Sequence, residues 1–116
     1  MSSMSESMNF EALRSLGFGS IGGTYALVGA PSEPAVRVII VNNYTDQTMI
    51  FSINGVTDHF VLTAGASLTL DLCSNKTQKG FYMGVGKAVY VKHAGTPPTT
   101  GSIYFSSVYG EIRSTI

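Results

Sequence analysis

The stretch that decides the fold is residues 35–73, AVRVIIVNNYTDQTMIFSINGVTDHFVLTAGASLTLDLC. It begins with a run over 35–44 that is dense in β-branched residues, as is typical of a buried strand. Residues 48–53 then alternate apolar and polar side chains, which indicates a strand with one face in a core. Asn54-Gly55 follows, a strong hairpin signal between apolar runs. This part of the chain therefore predicts neighbouring antiparallel strands.

The same pattern extends outward on both sides of this stretch. Further strands are predicted over residues 25–28, 59–62, 67–73, 81–85, 88–93 and 103–109. Eight short strands separated by turn signals are typical of a sandwich or barrel. Helices do not alternate with these strands, which argues against a parallel sheet. The predicted fold is all-β, a single antiparallel β-sandwich of jelly-roll or Ig-like type, with a short N-terminal helical arm.

The helical arm is predicted over residues 8–16. Phe10, Leu13 and Leu16 recur at three-residue spacing, which places them on one helical face. Gly17 stands where a left-handed helix stop is favoured. A helix this short is marginal alone in water, so it needs a surface to lie on. That surface is either the core of its own domain or a neighbouring subunit.

The chain divides by composition into three segments. Residues 1–23 are predicted to be an arm with a Gly-rich hinge, residues 24–110 the sandwich, and residues 111–116 a tail that is exposed or swapped onto a partner. The residues predicted to latch onto neighbouring subunits are Phe10, Leu13, Leu16, Ile112 and Ile116.

The low content of charged residues leaves two interpretations of the protein surface open. Charged residues are 12% of the 116 residues, and seven basic side chains balance seven acidic ones. An average soluble domain has roughly 25% charged residues, so this surface has little electrostatic protection against association. It is either polar and uncharged or buried against other copies. The basic residues are scattered along the chain, so we expect no nucleic-acid partner.

The cysteine count and the hydropathy of the sequence indicate the cellular compartment in which we expect the protein. Cys73 is the only cysteine, which excludes an intrachain disulfide and fits assembly in a reducing cytoplasm. The sequence contains no apolar run of the roughly 18 residues that a membrane span needs. The first ten residues lack the basic and apolar regions of a secretory signal. We expect neither a membrane partner nor a secretory leader.

Motifs that could support catalysis lack their structural context. Gly17, Gly19 and Gly22 spell GxGxxG, but the predicted helix precedes them and a strand follows, the reverse of a dinucleotide site. His59 and His93 are the only histidines, and a metal site needs three or four converging ligands. We therefore expect no catalytic residues, no metal, no cofactor and no enzymatic activity.

The order of segments resembles a group of small virion structural proteins of tailed bacteriophages. The residues that carry the resemblance are PAVRVIIVNNYTD (34–46), FSINGVTDHFVLTAG (51–65), LTLDLCSNK (68–76) and VYVKHAGTPPTTGSIYFSSVYG (89–110), after a polar arm. The resemblance covers residues 20–110, about three quarters of the chain. The resemblance implies a β-sandwich subunit that is built into the particle in many symmetric copies.

The function expected from this resemblance is that of a bacteriophage structural protein, assembled in the bacterial cytoplasm and resident in the virion. Its place would be a symmetric homo-oligomer at the head–tail neck, collar or connector. Its partners would be copies of itself and the portal, neck, tail or major capsid protein. The alternatives are a capsid decoration protein or a receptor- or glycan-binding β-sandwich module.

Overall fold

The chain, with its alternating apolar and polar residues, folds into two facing sheets in the computed structural model. The structure describes residues 3–31, 36–71 and 88–115, without the side chains of residues 3–8, 36 and 110–115. Nine strands form in these ranges: β1 (Ser3–Phe10), β2 (Arg14–Gly17), β3 (Ala26–Leu27), β4 (Val36–Asn43), β5 (Met49–Ser52), β6 (Phe60–Leu62), β7 (Ser67–Asp71), β8 (Tyr90–His93) and β9 (Ser102–Thr115). A 3-10 turn covers Phe18–Ser20.

The strands pair antiparallel in two sheets. The first sheet has the order β1-β9-β4-β7, with β2 also beside β9, and the second has the order β3-β8-β5-β6. Apart from the hairpin that joins β5 to β6, the chain crosses between the sheets at each connection from β2 to β7. The predicted all-β antiparallel sandwich is confirmed.

The core lies between the two sheets, where alternate residues of each strand meet. It contains Ile21, Val28, Ile39, Val41, Met49, Phe51, Leu62, Val89, Val91, Ile103 and Phe105. The rings of Phe51 and Phe60 stack with centroids 5.0 Å apart and an angle of 7° between their planes. The alternation read from residues 48–53 therefore identified the inward face of β5, on which Met49 and Phe51 are fully buried.

The predicted N-terminal helix is wrong. Residues 8–16 instead contribute to two strands, β1 and β2, which both pair with β9. The long strand β9 offers these residues a ladder of backbone hydrogen bonds, which a marginal helix cannot match. Leu16 packs against the core, and Gly17 has φ −71°, so it is not a left-handed stop.

The predicted end of the last strand at Gly110 is also wrong. β9 continues to Thr115 because β1 pairs with it along the whole of that length, from Phe10 opposite Val108 to Ser3 opposite Thr115. Glycine permits a strand to end but does not force it, and a partner strand decides. The last part of β9 and β1 together form a two-stranded ribbon, and the longest dimension of the molecule is 59 Å against 23 and 22 Å for the others.

Other predictions have mixed outcomes. Asn54-Gly55 does lie in a β5–β6 hairpin, where Gly55 has φ +76°, but the loop spans residues 53–59. The predicted strand over 81–85 and Cys73 lie outside the described residues. The division into arm, domain and tail concerns independent units and stays a prediction.

Candidate assembly surface

The edge of the first sheet is built from two strands that lie end to end. β1 and β2 both run along β9, and a bulge separates them. Phe10 pairs with Val108 and Arg14 with Phe105, so three residues on the edge face two on β9. One extra residue reverses which face the following side chains occupy. The bulge therefore changes which side chains of the edge point to each face of the sheet.

The bulge brings together an ion pair that a regular strand would separate. Residues three apart in a strand point to opposite faces, yet Arg14 Nη2 lies 3.1 Å from Glu11 Oε2. Both side chains are only 9% exposed. Ser107 Oγ donates a 2.6 Å hydrogen bond to Glu11 Oε1 and accepts one of 3.2 Å from Arg14 Nη1. The two charges thus neutralise each other inside the edge.

The guanidinium of Arg14 also fastens the turn that follows β3. Arg14 Nε donates to the carbonyl of Ala30 at 2.5 Å, and Nη2 donates to that of Pro31 at 3.4 Å. Gly29 has φ +72°, and a Cβ there would lie 2.6 Å from Arg14 Cβ, so glycine is required. The other face of the guanidinium covers the ring of Phe105, 5.2 Å from its centroid.

An open cleft of about 420 Å³ lies between the bulge and this turn. Its lining residues are Glu11, Ala12, Leu13, Arg14, Ser15, Gly29, Ala30 and Pro31. The polar groups of Arg14 are engaged within the chain, as described above. The cleft consequently offers small apolar surfaces and a neutral pair of charges, which suits an apolar side chain better than an ion.

The predicted interaction residues lie in different places. Phe10 and Leu13 are 71% and 62% exposed and lie on either side of the start of the bulge. Leu16 packs against the core instead. Ile112 pairs with Glu6 in the ribbon, and Ile116 lies outside the described residues. The assembly role of these five residues stays a prediction.

Phe10 belongs to an apolar row on the outer face of the first sheet. Val108 pairs with Phe10 on one side and with Val38 on the other. Directly paired residues point to the same face of a sheet, so the three side chains lie side by side. Val108 is 4% exposed, whereas Phe10 at the end of the row is open to solvent. The row therefore ends in an exposed aromatic ring.

Comparisons with known proteins were informative at the level of structure alone. The sequence matches no protein-family model, and no curated protein matches it. A chain from the acidic stable capsid structure of Helicobacter pylori bacteriophage KHP30 matches over 100% of this chain and 99% of its own, at 14% identity and a TM-score of 0.55. A chain from disulfide-linked pili described as Bacillus endospore appendages matches 94% of this chain and 89% of its own, at 17% identity and a TM-score of 0.44.

The first likeness shows the fold. It covers both chains almost from end to end, so the likeness is not confined to a fragment. The second likeness is too distant to carry an argument.

A second polar cluster lies on the outer side of the second sheet. Tyr25 donates a 2.5 Å hydrogen bond to Asp58 Oδ1, which also lies 3.2 Å from Lys92 Nζ. The ammonium of Lys92 lies 4.6 Å from the centroid of the Tyr25 ring. Burial, together with the hydrogen bond and charge of Asp58, raises the pKa of Tyr25 to about 12, while hydrogen bonds from Tyr25 and Lys92 lower the pKa of Asp58. These contacts join the residue before β3, the β5–β6 loop and strand β8.

The histidines have local partners. His59 Nδ1 accepts a 3.0 Å hydrogen bond from the backbone N–H of Ile53, as expected for a residue at a loop edge. His93 Nδ1 accepts one of 3.1 Å from the N–H of Gly95. Within residues 3–31, 36–71 and 88–115, no three His, Cys, Asp or Glu side chains gather as metal ligands, and no helix could span a membrane.

Sequence reasoning missed both polar clusters. Glu11 and Arg14 are three apart, a spacing that by itself does not distinguish a helix from a bulged strand. Tyr25, Asp58 and Lys92 are distant in sequence, and only the tertiary fold brings them together. No local pattern could have found them.

Proposed function

We propose that this protein is a structural subunit of a bacteriophage particle and that it acts by association rather than by catalysis. The observation that carries the proposal is the correspondence of the fold, over both chains almost completely, with a chain of a bacteriophage capsid structure. A structural subunit needs a fixed shape and contact surfaces, and it needs no cleft of ionisable groups.

The exposed edge supports this proposal. Phe10 and Leu13 leave large apolar surfaces in solvent near the cleft. Two exposed apolar side chains beside one cleft, in a chain with 12% charged residues, support a contact surface at this edge. The ribbon of β1 and β9 adds backbone edges on which a neighbour's strand can pair.

For the position in the particle, we favour the capsid over the neck or collar. The corresponding structure is a capsid, which supports the capsid-decoration alternative raised by the sequence. The partners are then further copies of this chain and the major capsid protein. A neck, collar or connector ring, with the portal or tail as partner, is the competing position.

The test is to purify particles from cells that carry the gene and to measure the copy number of this protein by quantitative mass spectrometry. We expect a fixed number of copies that co-sediments with particles. Labelling with an antibody distinguishes copies spread over the shell from copies confined to one vertex. Absence from particles, or a copy number that varies between preparations, would contradict the proposal.

The matched variants are Leu13→Ser and Val56→Ser. Both replace an exposed apolar residue, 62% and 80% exposed respectively, but Val56 lies in the β5–β6 loop and not at the edge. We expect Leu13→Ser to reduce incorporation into particles several-fold and Val56→Ser to leave it unchanged. Equal incorporation of the two variants would contradict the role of the edge as a contact surface.

A further inference from the structure

The ring of Phe10 is an apolar side chain that lies mostly in solvent. It is 71% exposed at the end of β1, and it does not line the neighbouring cleft of its own chain. Its backbone is fixed by pairing with Val108, and the next residue continues the ladder through a 3.0 Å hydrogen bond from Glu11 N to the carbonyl of Ser107. The ring is therefore held by a defined backbone, and it extends into solvent.

The cleft beside it has room for such a ring. Its volume is about 420 Å³, and Ala12, Leu13, Ala30 and Pro31 are among the residues that line it. The charges of Glu11 and Arg14 are paired with each other at 3.1 Å. A neutral aromatic side chain loses little by entering, because it displaces water from apolar walls and breaks no ion pair.

We propose that the cleft of one copy receives Phe10 of a second copy, and that the contact is reciprocal. Phe10 and the cleft are adjacent along the chain, so a two-fold axis between them brings both contacts together at once. This inference rests on the proposed association of copies, and it specifies the surface and the symmetry.

The expected dimer is weak. Two phenylalanine side chains bury on the order of 300–500 Å², whereas stable interfaces bury about 1,200–2,000 Å². Leu13 and the adjoining edge add area, but the contact remains at the lower end. We expect a dimer that forms in a concentration-dependent way, with a Kd on the order of micromolar or weaker.

Two variants and their mixture test the reciprocal contact. Phe10→Ala removes the ring and keeps the cleft, while Ala30→Phe fills the cleft and keeps the ring. Val56→Ala is the matched control, since it truncates an exposed residue that does not line the cleft. Each is examined as the full chain by sedimentation over a range of concentrations, with thermal unfolding to verify the fold.

We expect the wild type and Val56→Ala to form dimers with the same Kd. Phe10→Ala and Ala30→Phe each raise the Kd by about 100-fold or more, because each homodimer loses two buried rings. The equimolar mixture of these two variants recovers a heterodimer of intermediate affinity, because one ring and one cleft remain complementary.

A wild type that stays monomeric, a wild type that forms rings or filaments, or a mixture without recovery would each overturn the inference. Incorporation into particles is measured on the same variants. Normal incorporation of Phe10→Ala together with any of these outcomes would overturn the reciprocal contact alone and leave the proposed function in place.

Discussion

Asn43 shows how one buried side chain can join several loops. It is fully buried at the end of β4, and its Nδ2 donates to the carbonyls of Gln47, Leu62 and Thr63 at 2.9, 2.9 and 3.2 Å. Its Oδ1 accepts from the N–H and hydroxyl of Thr45 at 3.0 and 2.6 Å. The amide thus satisfies buried and partly buried backbone groups of two turns.

We expect Asn43→Ala to lower the free energy of unfolding by about 3 kcal/mol or more, because each buried polar group left without a partner costs roughly 1–3 kcal/mol. The neighbouring Asn42→Ala is the control. Asn42 is only half-buried and accepts one 2.7 Å hydrogen bond from Ser67, so its loss costs about 1 kcal/mol. Urea unfolding measures both, and equal losses would contradict the role of Asn43.

Gly101 tests a requirement for glycine. Its φ is +89°, and a Cβ there would collide with the carbonyl oxygen of Tyr44. Gly95 also has a positive φ, +112°, but a Cβ there would meet nothing within 4 Å. Comparing alanine substitutions at the two positions therefore distinguishes the cost of backbone strain from the cost of steric overlap.

We expect Gly95→Ala to cost about 1–2 kcal/mol from the left-handed backbone alone. Gly101→Ala adds roughly 1–3 kcal/mol because the backbone of residue 44 must move. Thermal unfolding of the two variants measures the difference. A smaller loss for Gly101→Ala than for Gly95→Ala would show that the loop relaxes freely.

At the scale of elements, Asp46 fastens the loop before β9 to the turn after β4. Its carboxylate accepts hydrogen bonds from the N–H and hydroxyl of Thr99, at 2.8 and 2.5 Å, and from the N–H of Thr100 at 3.3 Å. The hydrogen bonds from Thr99 are the main cause that lowers the pKa of Asp46 from its ordinary value of 3.8. The charged form therefore stabilises the folded state.

This shift predicts a pH-dependent contribution to stability. The pKa of Asp46 is lower in the folded state than in the unfolded state, so its stabilisation is present above pH 3.8 and is lost as the pH falls through the folded value. We expect Asp46→Asn to be less stable than the wild type near neutral pH and the gap to close in acid. Thr99→Val keeps the charge of Asp46 but removes the hydroxyl donor. In that background, the effect of Asp46→Asn on stability near neutral pH should be smaller. A gap independent of pH would contradict this assignment.

The ribbon of β1 and the end of β9 is the element with least support. Within the described residues, β1 pairs with β9 alone, whereas β4 lies between β9 and β7. Two-stranded ribbons are marginal in water, so backbone groups here open more easily than those of a central strand.

We expect hydrogen exchange of the monomer to be much faster in β1 and in residues 111–115 than in β4. Residues 103–105 of the same strand β9 are the internal control, because β2 and β4 flank them. Equal protection along the whole of β9 in the monomer would show that the ribbon is as stable as the sandwich. Slower exchange in the ribbon at high concentration would accompany association of copies.

At the scale of the whole molecule, the core and the exposed edge lie in separate regions. Within the described residues, the core is shared by both sheets, while the ion pair, cleft and exposed ring all lie where β1 and β2 meet β9. A truncation that tests the edge must therefore stop before the bulge. Removing residues 1–20 would delete β2 and Arg14 along with β1, so the informative deletion ends at residue 9 or 10.

The sequence by itself determined the fold class and the positions of several strands along the chain, because alternation with period two depends only on which face of a strand meets a core. Residues 35–73 combined a run rich in β-branched residues, an alternating stretch and a hairpin signal, and β4, β5, β6 and β7 formed within them. Exposed Phe10 and Leu13 were also identified as candidates for contact, though on the assumption of a helix.

Only the tertiary structure decided what the first residues become and what the edge contains. The three-residue spacing of Phe10, Leu13 and Leu16 matched a helix, but in the fold β9 supplies a pairing partner along its whole length and a bulge shifts the side chains. The same partner carries β9 past Gly110, and the bulge brings Glu11 to Arg14. Pairing between strands is a contact between distant residues, so no local pattern specifies it, and the choice between helix and strand follows from that pairing.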